Sequence, residues 1–168
     1  LAESIKHALV FDEAFVAWHE ASVENVLKLD PAALTELIHR NVRIKADVVG
    51  TDPYERTGQR ALLNFGHTIG HALEAECGYA LRHGECVAMG MAAALSLSVR
   101  CSGLAAEQAR RGRQLIEAFG LPVRWSACAA ASQRIDPQAL MERTLADKKN
   151  MGGRRRLVLV EAIGRANV

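Results

Sequence analysis

Between Gly84 and Cys101 the chain is apolar for most of its length yet carries little bulk. Ala88, Gly90, Ala92, Ala93 and Ala94 alternate there with Val87, Met89, Met91, Leu95 and Val99. A helix of that make-up presents small residues on every face, so other helices are expected to press on it from several sides. Alanine has the best helix propensity and lets backbones approach closely. The same habit runs through the whole chain of 168 residues, 49% hydrophobic but only 5% aromatic. One mainly α domain of several packed helices, spanning residues 1–168, is the expected fold class, since this length suits one domain with a real core. The apolar segment from Val87 to Val99 is too short to cross a bilayer and reads as a buried core helix.

The rest of the chain reads mostly as helices too. Leu1 to Leu9 is helix-compatible, and Asp12 starts a short helix through Trp18. Asp30-Pro31 is a start signal, Asp as N-cap and Pro at the first helical position. From there Leu34, Leu37, Ile38, Asn41, Ile44 and Val48 follow helical spacing, until Gly50-Thr51-Asp52-Pro53 turns the chain. A further helix is expected from about Gln59 to Glu76, stopped by Gly78. Others follow from Gly84 to Cys101, from Ala105 to Phe119, and from Asp136-Pro137 to about Ala146. Only Leu157-Val158-Leu159-Val160 reads as a strand, and a small β-hairpin near the C-terminus, turning across Gly152-Gly153, is expected to hold it.

A net charge of +2 argues against a nucleic-acid binder, which would concentrate a basic surface. The short cluster Arg154-Arg155-Arg156 reads as a solvated turn or strand entrance. Cys77, Cys86, Cys101 and Cys128 show no CxxC pairing, so small, buried, reduced cysteines of a cytoplasmic protein are expected rather than a disulfide framework. No nucleic-acid or membrane partner is expected. The chain opens at Leu1-Ala2-Glu3-Ser4-Ile5-Lys6 without an initiator methionine or a signal-peptide pattern, and so reads as the interior of a longer protein.

The stretch that bears chemistry is Asn64-Phe65-Gly66-His67-Thr68-Ile69-Gly70-His71, followed by His83-Gly84-Glu85. On a helix His67 and His71 project from one face, and with His83 at a following helix start they could converge on a divalent ion, zinc above all. Thr68 stands where the general base of an HExxH protease would have to be, so that chemistry is ruled out. Gly66 and Gly70 each cost a helix about 1 kcal/mol against alanine, which suggests a close approach to the backbone there. For a further ligand, Glu85, Glu74 and a distant acid such as Glu3 remain open on spacing alone.

The run Arg60 to Glu74, with its Asn64-Phe65-Gly66-His67-Thr68-Ile69-Gly70-His71, resembles the signature of the dehydroquinate synthases. So do Arg82-His83-Gly84-Glu85-Cys86-Val87-Ala88-Met89-Gly90-Met91, the opening Leu1 to Lys6, and the close, where Asp147-Lys148-Lys149 leads through a strand to Ala162-Ile163-Gly164. The resemblance implies the helical, metal-binding half of a two-domain enzyme, with its NAD-binding α/β domain lying N-terminal and absent here. No Gly-rich loop follows a strand in this chain, so a dinucleotide fingerprint is missing.

By position, the resemblance implies a catalytic zinc (or cobalt) held by Glu3, His67 and His83, with His71 a substrate-phosphate or proton-relay contact rather than a ligand. It places Lys6, Lys45, Arg60, Asn64 and one of Lys148 and Lys149 on the substrate. An acid between Lys45 and Arg60 belongs to the site as well. Glu55 is the candidate, although the stretch Gly50 to Gln59 is one residue longer than the typical form. The implied activity converts a phosphorylated seven-carbon keto acid, 3-deoxy-D-arabino-heptulosonate 7-phosphate, to 3-dehydroquinate and phosphate on the shikimate route to aromatic amino acids. NAD oxidises and re-reduces the ring, a homodimer is the implied assembly, and these residues alone are not expected to turn over substrate. Another sugar-phosphate cyclase, a metal-dependent polyol dehydrogenase, and a non-catalytic helical module are the rival readings.

Overall fold

Seven α-helices and one β-hairpin make up the described residues of this computed structural model, which are 1–54, 56–127, 135–145 and 157–168. The helices are α1 (Ala2–Phe11), α2 (Glu13–Leu27), α3 (Pro31–Thr51), α4 (His67–Glu76), α5 (His83–Cys101), α6 (Ala106–Ala118) and α7 (Pro137–Leu145). Short 3-10 turns, Arg60–Asn64 and Trp125–Ala127, precede α4 and follow α6. The fold class expected from the sequence is the one observed.

Caps set several of the boundaries. Phe15 N–H donates to Asp12 Oδ1 at 3.0 Å and Ala33 N–H to Asp30 Oδ1 at 2.9 Å, each satisfying a donor that the first helical turn leaves orphaned. The second helix outruns its expected end at Trp18 and reaches Leu27, because nothing breaks it before Leu29 adopts φ +59° ahead of the Asp30 cap. In α3 the apolar stripe is only partly used. Ile44 and Val48 are buried, whereas Ile38 is 60% exposed.

α5 is the hub, as its small residues imply. It packs against α1, α4, α6 and strand β1 (Leu159–Ala162). Its inner residues, Val87, Met91 and Leu95 among them, join Ile5 and Leu9 of α1, Phe15 and Val16 of α2, and Ile116 of α6 in the main core. By length and composition alone this nineteen-residue helix could cross a bilayer, which the thirteen-residue count from Val87 to Val99 overlooked. In the fold, however, more than half of it is buried among its neighbours.

The helix expected from Gln59 to Glu76 is two pieces. The chain breaks at Gly66, whose φ of +76° is left-handed, and α4 starts only at His67. The break presses the Gly66 carbonyl onto α5, where a Cβ on Gly90 would lie 2.0 Å from the Gly66 oxygen. A Cβ on Gly70 would likewise meet Cys86 O and Val87 N at 3.2 Å. The close approach inferred at both glycines is therefore real, but Gly66 serves a turn rather than a helix interior.

The C-terminal hairpin also differs from expectation. The predicted turn at Gly152-Gly153 lies outside the described residues, and the strand pairs forward instead, β1 running antiparallel to β2 (Arg165–Asn167) around Gly164 at φ +84°. The short polar β2 carries no alternation that marks a strand. Tertiary ties hold the hairpin: Val160 N–H donates to the buried Ser98 Oγ on α5 at 2.9 Å, and Gly164 N–H to Leu9 O on α1 at 2.9 Å.

One buried carboxylate shapes the link from α3 to the 3-10 turn. Asp52 Oδ1 accepts from the Arg56 N–H (2.7 Å) and the Thr57 N–H (3.2 Å), and Oδ2 from the Arg60 N–H (3.2 Å). Burial pushes this carboxyl up, but the three backbone donors outweigh it and bring it down to about 2.

Two outcomes are expected. Gly90→Ala gains about 1 kcal/mol of helix propensity but drives a methyl into a backbone carbonyl, so we expect a net loss of at least about 2 kcal/mol in denaturant unfolding. Asp52 titrates below its ordinary value of 3.8, so its stabilisation is complete above that pH and lost as pH falls through about 2. Thermal midpoints of the protein and of Asp52→Asn should therefore differ most near neutrality and converge between about pH 4 and 2; a constant gap would refute the assignment.

Candidate metal centre

Three helix starts meet at one place. Glu3 lies in the first turn of α1, His67 opens α4 and His83 opens α5. One ligand atom from each of these three side chains falls within 4.8 Å of the other two. The imidazoles of His67 and His83 have ring centres 5.5 Å apart, and His71 stands beside them at 5.3 and 5.8 Å.

The hydrogen bonds of the rings decide which nitrogens face one another. His67 Nδ1 lies 3.1 Å from the Phe65 carbonyl oxygen, and His83 Nδ1 lies 2.9 Å from Glu74 Oε1. Both oxygens only accept, so in each ring Nδ1 carries a proton, and in a neutral ring Nε2 keeps its lone pair. His67 Nε2 then faces Glu3 Oε1 at 3.2 Å. A lone pair against a carboxylate oxygen is repulsive unless a proton or a cation lies between them. Two neutral imidazoles and one carboxylate are a donor set of the catalytic-zinc kind, which keeps a coordination position open for substrate. The residues present fit a divalent metal.

The second oxygen of Glu3 is occupied. Lys6 Nζ donates to Glu3 Oε2 at 2.7 Å, and the lysine is only 3% exposed. Burial pushes the Glu3 carboxyl up, but its contacts with His67 and Lys6 prevail and hold it well below the usual carboxylate range. Lys6 itself is lowered, chiefly by burial, against the pull of Glu3. Lys6 therefore reaches the cluster through Glu3.

Behind Glu3 a directional polar chain locks α1 to α2 and α3. His19 Nδ1–H donates to Phe15 O (2.8 Å), Ser4 Oγ–H to His19 Nε2 (2.8 Å), Asn41 Nδ2–H to Ser4 Oγ (2.7 Å), and His7 Nδ1–H to Asn41 Oδ1 (2.8 Å). Burial takes His19 down to about 4, so the ring is neutral and Nε2 can accept. The sequence reading missed these four residues. Their signal was polar side chains on the apolar faces of three helices, α1, α2 and α3. Ser4, His7 and Asn41 also line a cavity of about 390 Å³ between α1 and α3, together with Glu3 and the exposed Lys45.

The remaining candidates fall in different places. Arg60 is exposed, its guanidinium donating to Pro53 O at 3.2 Å, and the Asn64 amide donates to Ala61 O at 3.1 Å. Among the described residues neither is hydrogen-bonded to the three histidines. Glu85 serves as a cap instead, its carboxylate accepting from Arg82 N–H at 2.9 Å. Glu74 is the acid that reaches a histidine, and with His71 and His83 it forms a second cluster of the same tightness. Glu55, Lys148 and Lys149 lie outside the described residues. A larger cavity, about 480 Å³, sits between α5 and α6 with Arg100, Arg110 and Arg113 on its walls, far along α5 from His83.

Comparison with known proteins shows the family and the fold. Residues 1–150 match the family described as 3-dehydroquinate synthase C-terminal. The chain is 44% identical over its whole length to a 3-dehydroquinate synthase of Xanthomonas campestris pv. campestris, and 42% identical over 99% of its length to that of Xylella fastidiosa. It spans 45% of the length of each. Among solved structures, it superposes on 2-epi-5-epi-valiolone synthase from Streptomyces hygroscopicus subsp. jinggangensis, a structure with NAD+ and Zn2+ bound. There the TM-score is 0.83 and the identity 24%, covering 99% of this chain and 44% of that one. A 2-deoxy-scyllo-inosose synthase complexed with carbaglucose-6-phosphate, NAD+ and Co2+ gives a TM-score of 0.75 at 21% identity, over 99% and 45% of the two chains. By the family match and by the identity to these relatives, this chain belongs to the 3-dehydroquinate synthase family, within its C-terminal domain.

Proposed function

We propose that this chain supplies the metal- and substrate-binding half of a 3-dehydroquinate synthase, the lyase that turns 3-deoxy-D-arabino-heptulosonate 7-phosphate into 3-dehydroquinate and phosphate on the shikimate route. The observation that carries the reading is the convergence of Glu3, His67 and His83 from three helix starts, with both histidine Nδ1 atoms already engaged. Identity of 42–44% to named 3-dehydroquinate synthases, against 24% or less to the other cyclases, favours this substrate over theirs. Intact ligands at all three positions favour an enzyme over a helical module without chemistry.

A zinc or cobalt ion held by Glu3, His67 and His83 would supply Lewis-acid polarisation of the hydroxyl being oxidised, with NAD, bound by residues other than these, as the hydride acceptor. The residues of this chain do the holding and the proton handling. Lys6 pins one oxygen of Glu3 and leaves the other facing His67. Lys45, exposed beside Glu3 in the cavity between α1 and α3, offers a cation to the substrate's carboxylate or phosphate. Arg60, its backbone fixed on Asp52, offers a planar guanidinium for bidentate contact. His71, exposed at the edge of the cluster, is placed for proton relay. Asn64, Glu55 and one of Lys148 and Lys149 enter on family position alone. A homodimer and a cytoplasmic setting complete the proposal, the latter supported by the free, buried Cys77 and Cys86.

Zinc titration of the purified protein beside Glu3→Ala, His67→Ala and His71→Ala tests the ligand set. About one zinc per chain is expected, with affinity at least about 100-fold weaker in the first two variants and little changed in the third. If His71→Ala abolishes binding while Glu3→Ala leaves it intact, the ligand assignment fails. Turnover of another sugar phosphate in preference to the heptulosonate would move the reading to a related cyclase.

A further inference from the structure

We infer that Glu74 is the positioning residue for His83, fixing its tautomer and ring orientation so that Nε2 is presented to the metal. This deepens the proposed metal site and rests on it. Glu74 follows His67 by seven residues and His71 by three, so all three share one face of α4, directed at the start of α5. An acid in the last turn of a helix sits against the unfavourable end of the macrodipole. The chain places two there nonetheless: Glu76 pairs with Arg143, and the Glu74 carboxylate spans the gap between helices to meet His83.

The partners are unequal. The Glu74 side chain is 15% exposed and that of His83 is 50% exposed, so the enclosed carboxylate holds the freer ring. A carboxylate has no proton to give, so the 2.9 Å contact requires the proton on His83 Nδ1 and leaves Nε2 as the only nitrogen able to ligate. This is the arrangement by which carboxylates orient metal-binding histidines and raise their basicity.

A rival role is that Glu74 itself ligates, with His71 and His83 around a second ion. Distance separates the two. Ligand atoms about 2.1 Å from a tetrahedral zinc lie roughly 3.4 Å apart. The His83 Nδ1–Glu74 Oε1 pair, at 2.9 Å, is shorter than that spacing and has the length of a hydrogen bond.

The test combines zinc competition titrations with imidazole 15N NMR of the metal-free protein, for Glu74→Ala, Glu74→Gln and His67→Ala, each checked for folding by thermal denaturation. Glu74→Ala should weaken zinc by about 10- to 100-fold without changing the stoichiometry. Glu74→Gln, whose amide oxygen can accept the same N–H, should recover most of that loss. The 15N shifts should report a proton on His83 Nδ1 in the protein and in Glu74→Gln, and a shift toward Nε2–H in Glu74→Ala. If His67→Ala abolishes binding while Glu74→Ala binds as the protein does, the metal site stands and the inference is overturned. A second bound zinc that disappears in Glu74→Ala would make Glu74 a ligand and overturn it equally. Should the unsubstituted protein bind no zinc, the metal reading falls, and an unchanged His83 tautomer in Glu74→Ala would still decide against Glu74 on its own.

Discussion

The backbone of Gly66 lies against α5 at Gly90 with no side chain between them, and the depth of that contact fixes the relation of α4 to α5. Contacts between side chains can relax by changing rotamers, but a carbonyl oxygen resting where a Cβ would be has no such freedom. Because His67 immediately follows Gly66 and α5 begins at His83, the same contact sets how the two imidazoles are presented. The left-handed turn at Gly66 also frees the Phe65 carbonyl to take the His67 Nδ1 proton. One close approach thus links the fold to the chemistry of a nitrogen several atoms away.

The placement of Glu3 is governed by charge rather than by packing. Glu3 sits at the start of α1, where the helix dipole favours an anion, and its carboxylate is divided between Lys6 and His67. Burying a lysine costs several kcal/mol unless it is paired, so the 3%-exposed Lys6 commits Glu3 to one orientation. The chain of His19, Ser4, Asn41 and His7 then fixes α1 against α2 and α3, since its donors and acceptors match in one direction. Buried networks satisfied in this way favour one arrangement over its competitors.

Much of this was legible beforehand. Small residues from Ala88 to Ala94 announced a hub helix, Asp30-Pro31 announced α3, and the glycines at 66 and 70 announced close contact. The errors have physical causes. A run such as Arg60 to Glu76 has helical spacing throughout, and only packing against α5 makes a left-handed Gly66 the better solution. Strand β2 has no pattern of its own because it is held by pairing with β1, which is tied to α5, and by the turn at Gly164, which is tied to α1.

The sequence by itself determined the fold class, the helix starts at Asp12 and Asp30, the family and the histidines to consider, because periodicity, capping chemistry and motif spacing are local properties of the chain. Only the tertiary structure showed where Glu3, Glu74 and Glu85 lie, three acids that spacing alone left equivalent. Glu85 turns back to cap its own helix, Glu74 crosses to His83 Nδ1, and Glu3 arrives from far away in sequence to face His67 Nε2. Which oxygen meets which nitrogen depends on how three helices dock, and docking is set by contacts between residues far apart along the chain.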